Sequence, residues 1–142
     1  MPVRSAQAVW NGRLRDGHGE MEFGSGAFKG GYSFASRFEN GTGTNPEELI
    51  GAAHAGCFSM ALSLALEQAG FTPEKVETDA KVHLEKVGDG FQITKVELST
   101  RVSAPGIDEE TFRKQAGAAK EGCPVSRALG GVEITLDASL AK

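Results

Sequence analysis

The sequence predicts an α+β domain with mostly antiparallel strand pairing. Three observations carry that reading: alternating apolar and polar residues toward both ends of the chain, one long helical stretch without an acidic or basic side chain, and a second helix bounded by cap residues. At 142 residues, the chain fits one domain, 1–142, and is long enough to bury a core without metals or disulfide staples.

The first forty residues predict short strands separated by Gly-rich turns. Ala6, Ala8 and Trp10 alternate, then Met21 and Phe23, then Tyr32, Phe34 and Phe38, with Arg37 on the opposite phase from those aromatics. GSGAFKGGY has the glycines of a loop or hairpin.

A helix is expected from Asn45. Asn45 suits the N-cap, Pro46 the first helical position, and Glu48 at N3 completes a capping-box arrangement. Leu49 to Leu66 then carries no Asp, Glu, Lys or Arg and reaches the length of a membrane span. His54, Ser59, Ser63 and two glycines make it a weak lipid-facing segment, so it is read as a central helix covered by protein on nearly every side, with a second subunit contributing cover.

Gly70 closes that helix. In VETDAKVHL, residues Val76, Thr78, Ala80, Val82 and Leu84 share one phase, which predicts a half-buried antiparallel strand. GDG marks a hairpin, and the phase change between Ile93 and Val96 predicts a bulge near Thr94 and Lys95. Asp108 caps a second helix that Gly122 stops. Val132, Ile134, Leu136 and Ala138 form one face of a closing strand.

The net charge of −4 and the lack of a long Lys/Arg run argue against nucleic acid or an anionic membrane as partner. The N-terminus has no continuous apolar h-region, so a reducing cytoplasm is the expected compartment, where a stable structural disulfide is disfavoured. Cys57 and Cys123 are then either packed thiols or a redox couple. With no CxxC and three scattered histidines, no metal is expected.

Attack on a peroxide needs a thiolate, a cation beside it, and a second thiol to capture the sulfenic acid. Burial of Cys57 in its apolar stretch would raise its pKa, so it needs an Arg or a helix N-terminus, and Arg37 is the leading candidate. Cys123 precedes Pro124, which sets its sulfur at the N-cap of a short helix, PVSRAL, and on physics alone it could be attacker or resolver. His54, three residues before Cys57, raises a rival: a His-activated Cys nucleophile with Glu47 or Glu48 orienting the imidazole, which would need an oxyanion hole.

TNPEELIGAAHAGCFSMAL, followed far downstream by GCPVSRAL, resembles the OsmC/Ohr family (osmotically inducible protein C, organic hydroperoxide resistance), the OsmC branch in particular. The resemblance extends through SRFENGTGTNPEEL, GFTP, GFQITKVEL and PGID, so it covers nearly the whole chain. It implies an intertwined homodimer, with sheets wrapped around central helices and active sites at the subunit interface. It also implies Cys57 as peroxidatic cysteine, Cys123 as resolving cysteine, Arg37 as an activating arginine on a strand before the helix, and Glu47 as its carboxylate partner. The implied activity is reduction of organic hydroperoxides, and more weakly of hydrogen peroxide, reset by a dithiol such as a dihydrolipoyl group without metal or flavin. The alternative is a non-catalytic, stress-related structural or ligand-binding dimer whose cysteines merely pack. Glu47 and Cys57 lie ten residues apart, about 15 Å of rise in an unbroken helix. Either the helix breaks near Gly51 to Gly56, or Arg37 and Glu47 serve the Cys57 of the other subunit.

Overall fold

The computed structural model describes residues 1–141. The elements are β1 (Ala6–Asn11), β2 (His18–Phe23), β3 (Lys29–Tyr32), α1 (Phe34–Phe38), α2 (Pro46–Gln68), β4 (Lys75–Val87), β5 (Gly90–Ser103), α3 (Glu109–Gly122), α4 (Pro124–Ala128) and β6 (Glu133–Leu140). The fold is α+β, and the backbone divides into two units, Met1–Leu49 and the residues from Ile50 on.

In the first unit, β1, β2 and β3 form an antiparallel sheet in that order. Gly19 stands between Trp10 and Tyr32 in the register, and their rings meet across it with centroids 5.3 Å apart. A Cβ at Gly19 would lie 2.6 Å from both rings, so only glycine fits.

The sequence pattern fails at Phe34–Phe38, which forms helix α1 rather than a strand. Ser33 is its N-cap: Ser36 N–H donates to Ser33 Oγ at 3.2 Å and Ser33 N–H donates to Ser36 Oγ at 2.9 Å, a reciprocal capping box. The four-residue spacing of Phe34 and Phe38 then stacks their rings at 4.9 Å. Arg37 therefore sits in a helix, not on a strand. After α1, Ser36 Oγ donates to Thr44 O at 2.7 Å and Asn45 Nδ2 donates to Ser36 O at 3.0 Å, which sets where α2 starts. Asn45 accepts from Glu48 N–H at 2.8 Å as expected of the N-cap, while the Glu48 carboxylate accepts the Thr44 hydroxyl.

In the second unit, β4 and β5 pair antiparallel, and β6 joins β5 in parallel, giving a mixed sheet. The register shifts between His83 and Leu84, which leaves Thr94 as the extra residue of the bulge. The expected inward phase of β4 holds through Ala80: Val76, Thr78 and Ala80 are partly buried between exposed neighbours, and Val82, His83 and Leu84 at the register shift are all partly buried.

Helix α2 ends in a Schellman motif, with Phe71 N–H donating to Leu66 O at 2.9 Å and Gly70 N–H to Glu67 O at 3.0 Å, Gly70 supplying φ +94°. His54, Phe58, Leu62 and Leu66 recur every fourth residue and are fully buried. The last three share a core with Val96, Leu98 and Val102 of β5 and Phe112, Ala116 and Ala119 of α3. Ser59 fixes the helix against the sheet through a hydroxyl chain, Ser59 to Thr78 at 2.7 Å and Thr78 to Thr100 at 3.0 Å. Within one chain the cover is one-sided. Ala52, Gly56, Met60 and Leu64, again every fourth residue, are exposed, Met60 by 76% and Leu64 by 52%.

Candidate active site

The junction of α3 and α4 is built by Cys123, which is both the C-cap of α3 and the N-cap of α4. Pro124 starts α4 because its fixed φ and missing N–H suit a first helical position. The turn brings Ser126 N–H to Cys123 Sγ at 3.3 Å, and the Ser126 hydroxyl lies 3.2 Å from the same sulfur. Cys123 is fully buried.

Cys57 approaches from α2. Both cysteines are free thiols, Cys57 packs against the buried cluster that holds Cys123, and each sulfur shifts the acidity of the other, with the Val125 N–H acting on both. The two sequence-predicted cysteines are thus in contact. Their access differs, since Cys57 is only partly buried and lines an open cleft of about 750 Å³ with Met60, Ala61, Leu64, Ala119 and Pro124. The cleft is apolar, which suits a hydrocarbon-bearing molecule with its reactive end at the sulfur.

The electrostatics of the two thiols are opposed. Burial pushes the Cys57 thiol up, and its hydrogen bond to Cys123 adds to that against the Val125 N–H. Burial acts to raise Cys123 as well, but the Ser126 hydroxyl and N–H, with Cys57 and Val125, outweigh it and hold Cys123 below the usual thiol value. Of the two, Cys123 is the sulfur that gives up its proton more readily. The accessible sulfur is therefore the less acidic one, and its reactivity calls for a cation.

Arg37 and Glu47 form a two-point ion pair within the first unit, Nε to Oε1 at 3.0 Å and Nη2 to Oε2 at 2.9 Å. Glu47 lies in the first turn of α2 and is buried, whereas the Arg37 side chain keeps about a third of its surface exposed. Helix α2 runs unbroken through Gly51 and Gly56, so the expected alternative of a helix break does not hold.

His54 departs from the rival reading. Its Nε2 lies 2.8 Å from Ser126 Oγ, and its Nδ1 is buried without a hydrogen-bond partner, so no carboxylate orients it among the described residues. The His-activated nucleophile with Glu47 or Glu48 behind it is therefore not assembled: Glu47 is engaged by Arg37 and Glu48 by Thr44. Sequence reasoning missed Ser126. The available signal was the Cys-x-x-Ser spacing of Cys123 and Ser126, which is that of a capping box.

A family model described as OsmC-like protein matches residues 39–137. The chain is 53% identical over 138 residues to the peroxiredoxin OsmC of Escherichia coli (strain K12), covering 96% of each chain. It is 36% identical over 98 residues to an organic hydroperoxide resistance protein of Xanthomonas axonopodis pv. citri (strain 306), covering 68% of this chain and 67% of that one. Among solved structures, the organic hydroperoxide resistance protein OhrB of Bacillus subtilis aligns with a TM-score of 0.70 at 26% identity, over 94% of this chain and 97% of that one. An OsmC-like protein of Mycoplasma pneumoniae shares the fold with a TM-score of 0.78 at 16% identity, over 99% of both chains.

Proposed function

Because this chain belongs to the OsmC-like protein family, we propose that it is a thiol peroxidase that reduces organic hydroperoxides, with Cys57 attacking and Cys123 resolving. A peroxidase-type function is supported by the names of its relatives, a peroxiredoxin and organic hydroperoxide resistance proteins. The observation that carries the two-cysteine reading is the contact between an accessible thiol at the mouth of an apolar cleft and a fully buried one.

In the first step the Cys57 thiolate attacks the terminal peroxide oxygen, the O–O bond breaks, and the alkoxide leaves as an alcohol after taking a proton. Cys57 is then a sulfenic acid. Cys123 attacks that sulfur, forming a Cys57–Cys123 disulfide and releasing water. A dithiol such as a dihydrolipoyl group restores both thiols by exchange and leaves as its own disulfide. Arg37 is the cation that lowers the cost of the Cys57 thiolate, and Glu47 holds its guanidinium plane.

The working unit in this reading is a homodimer. A second copy covers the exposed stripe of α2 and brings its Arg37–Glu47 pair to the Cys57 of the first. This reading is supported by the unbroken α2 and by the apolar side chains it leaves exposed.

Thiol counting before and after one equivalent of cumene hydroperoxide tests the proposal. Loss of two free thiols per chain, without cross-linked oligomers, is the expected result. Two thiols that remain countable after the peroxide is added would overturn it in favour of cysteines that merely pack.

A further inference from the structure

One buried ionisable side chain has no part in the reaction as written: His54, with none of its surface exposed. Its Nε2 lies 2.8 Å from Ser126 Oγ, which lies 3.2 Å from Cys123 Sγ, so His54, Ser126 and Cys123 form a buried hydrogen-bonded row ending on a reacting sulfur. We infer that His54 is a positioning residue for the resolving step, holding the Ser126 hydroxyl on Cys123 so that this sulfur is the nucleophile that closes the disulfide. The inference rests on the proposed roles of Cys57 as attacker and Cys123 as resolver.

The direction of the hydrogen bonds follows from the orphaned ring atom. His54 Nδ1 is buried without a partner. A proton there would leave a buried N–H unsatisfied, so the proton belongs on Nε2, which donates to Ser126 Oγ. While protonated, the Cys123 S–H donates to Ser126 Oγ at 3.2 Å; once the sulfur is deprotonated, Ser126 has its own hydroxyl proton to turn toward it, beside the Ser126 N–H already directed at it from 3.3 Å. Two donors on one sulfur favour its thiolate. Burial pushes the imidazole's pKa down, which favours the neutral ring that can orient Ser126 without adding a charge to the core.

Cys57 acts on Cys123 directly and His54 acts through Ser126, both from α2, while Lys120 and Glu121 of α3 line a cavity with Ser126. In the resolving step the Cys123 sulfur forms the S–S bond as the S–O bond of the Cys57 sulfenic acid breaks. Hydroxide departs and becomes water with the proton Cys123 gave up, so thiol plus sulfenic acid equals disulfide plus water. The row acts on the nucleophile of this step, not on the peroxide, which has no access to buried Cys123.

The test follows Cys123 alone, by pH titration of thiolate ultraviolet absorbance in Cys57→Ser chains. His54→Leu and Ser126→Ala should each move the titration up by about one pKa unit, while Ser126→Thr, which keeps the hydroxyl, and His54→Gln, which keeps an N–H at the Nε2 position, should leave it in place. With both cysteines present, the first two changes should slow loss of the dimedone-reactive sulfenic acid about tenfold. A titration that stays at its Cys57→Ser position in folded His54→Leu and Ser126→Ala chains would overturn the inference and leave His54 a packed core residue. Should His54→Leu fail to fold, Ser126→Ala and Ser126→Thr decide alone. Hydroperoxide reduction surviving in Cys57→Ser would sink the role assignment instead, a result separate from the titration.

Discussion

Arg37 and Glu47 are joined at both ends of a guanidinium–carboxylate fork, at 3.0 and 2.9 Å. Such a pair fixes the plane of the arginine and leaves its remaining N–H groups to face another anion. Arg37→Lys keeps the charge but loses the fork, and Arg37→Ala loses both. Peroxide attack should slow at least tenfold in each, with the alkylation profile of Cys57 moved to higher pH. Stability should fall by only about 1 kcal/mol, because the arginine is partly exposed. An unchanged alkylation profile in Arg37→Ala would remove Arg37 from the site.

The contact between Cys57 and Cys123 predicts unequal effects of their removal. Cys57→Ser should abolish hydroperoxide reduction, whereas Cys123→Ser should consume one equivalent per chain and then stall with a dithiol, its sulfenic acid lacking an internal partner. Single-turnover stopped-flow measures both. A full single turnover in Cys57→Ser would reverse the assignment and make the more acidic Cys123 the attacker.

Those roles were legible to unequal degrees. The N-cap position of Cys123 could be read because Cys-Pro is a local signal, and the bulge at Thr94 because a slip of one residue exchanges every inward side chain. Helix α1 could not, since Tyr32, Phe34 and Phe38 mix spacings of two and four, and the decisive feature was the Ser33–Ser36 box rather than the aromatics. The parallel direction of β6 is set by the crossover from β5 through α3 and α4, not by the strand's own alternation. His54 and Ser126 are 72 residues apart, and no local pattern announces that they meet.

The opposed shifts of the two thiols predict a shallow stability maximum for the reduced chain. The depressed pKa of Cys123 contributes stability that is complete above the unfolded thiol value of about 8.5 and is lost as pH falls through the folded value. The raised pKa of Cys57 contributes in the opposite sense: its stability is complete below about 8.5 and is lost as pH rises through its folded value. Their sum peaks near the ordinary thiol pKa, and the pair releases its protons in two shared steps. Melting temperatures across pH, with the Cys57→Ser/Cys123→Ser profile subtracted, check this. A difference that rises or falls monotonically through the thiol range would contradict it.

The exposed stripe of α2 predicts how the chain assembles. Ala52 and Gly56 are small and Met60 and Leu64 are large, all on one row of fourth residues, which is the kind of ridge that packs against another helix. Met60 and Leu64 also line the cleft at Cys57, so a second copy seated on the row would cover that cleft, and in the proposed reading its Arg37 serves the thiol. An obligate interface of this kind buries more than about 2,000 Å² and is more apolar than a transient one, so dissociation should coincide with loss of activity. Met60→Glu with Leu64→Glu would place two unpaired carboxylates in that contact, each costly to desolvate, while leaving the buried row of His54, Phe58, Leu62 and Leu66 intact. Sedimentation should therefore show a dimer for the unaltered chain at micromolar concentration, and a monomer with at least a hundredfold less hydroperoxide reductase activity for the double variant. A monomer that keeps full activity on dilution would show that the row needs no second copy, and would also exclude delivery of Arg37 from one chain to the Cys57 of another.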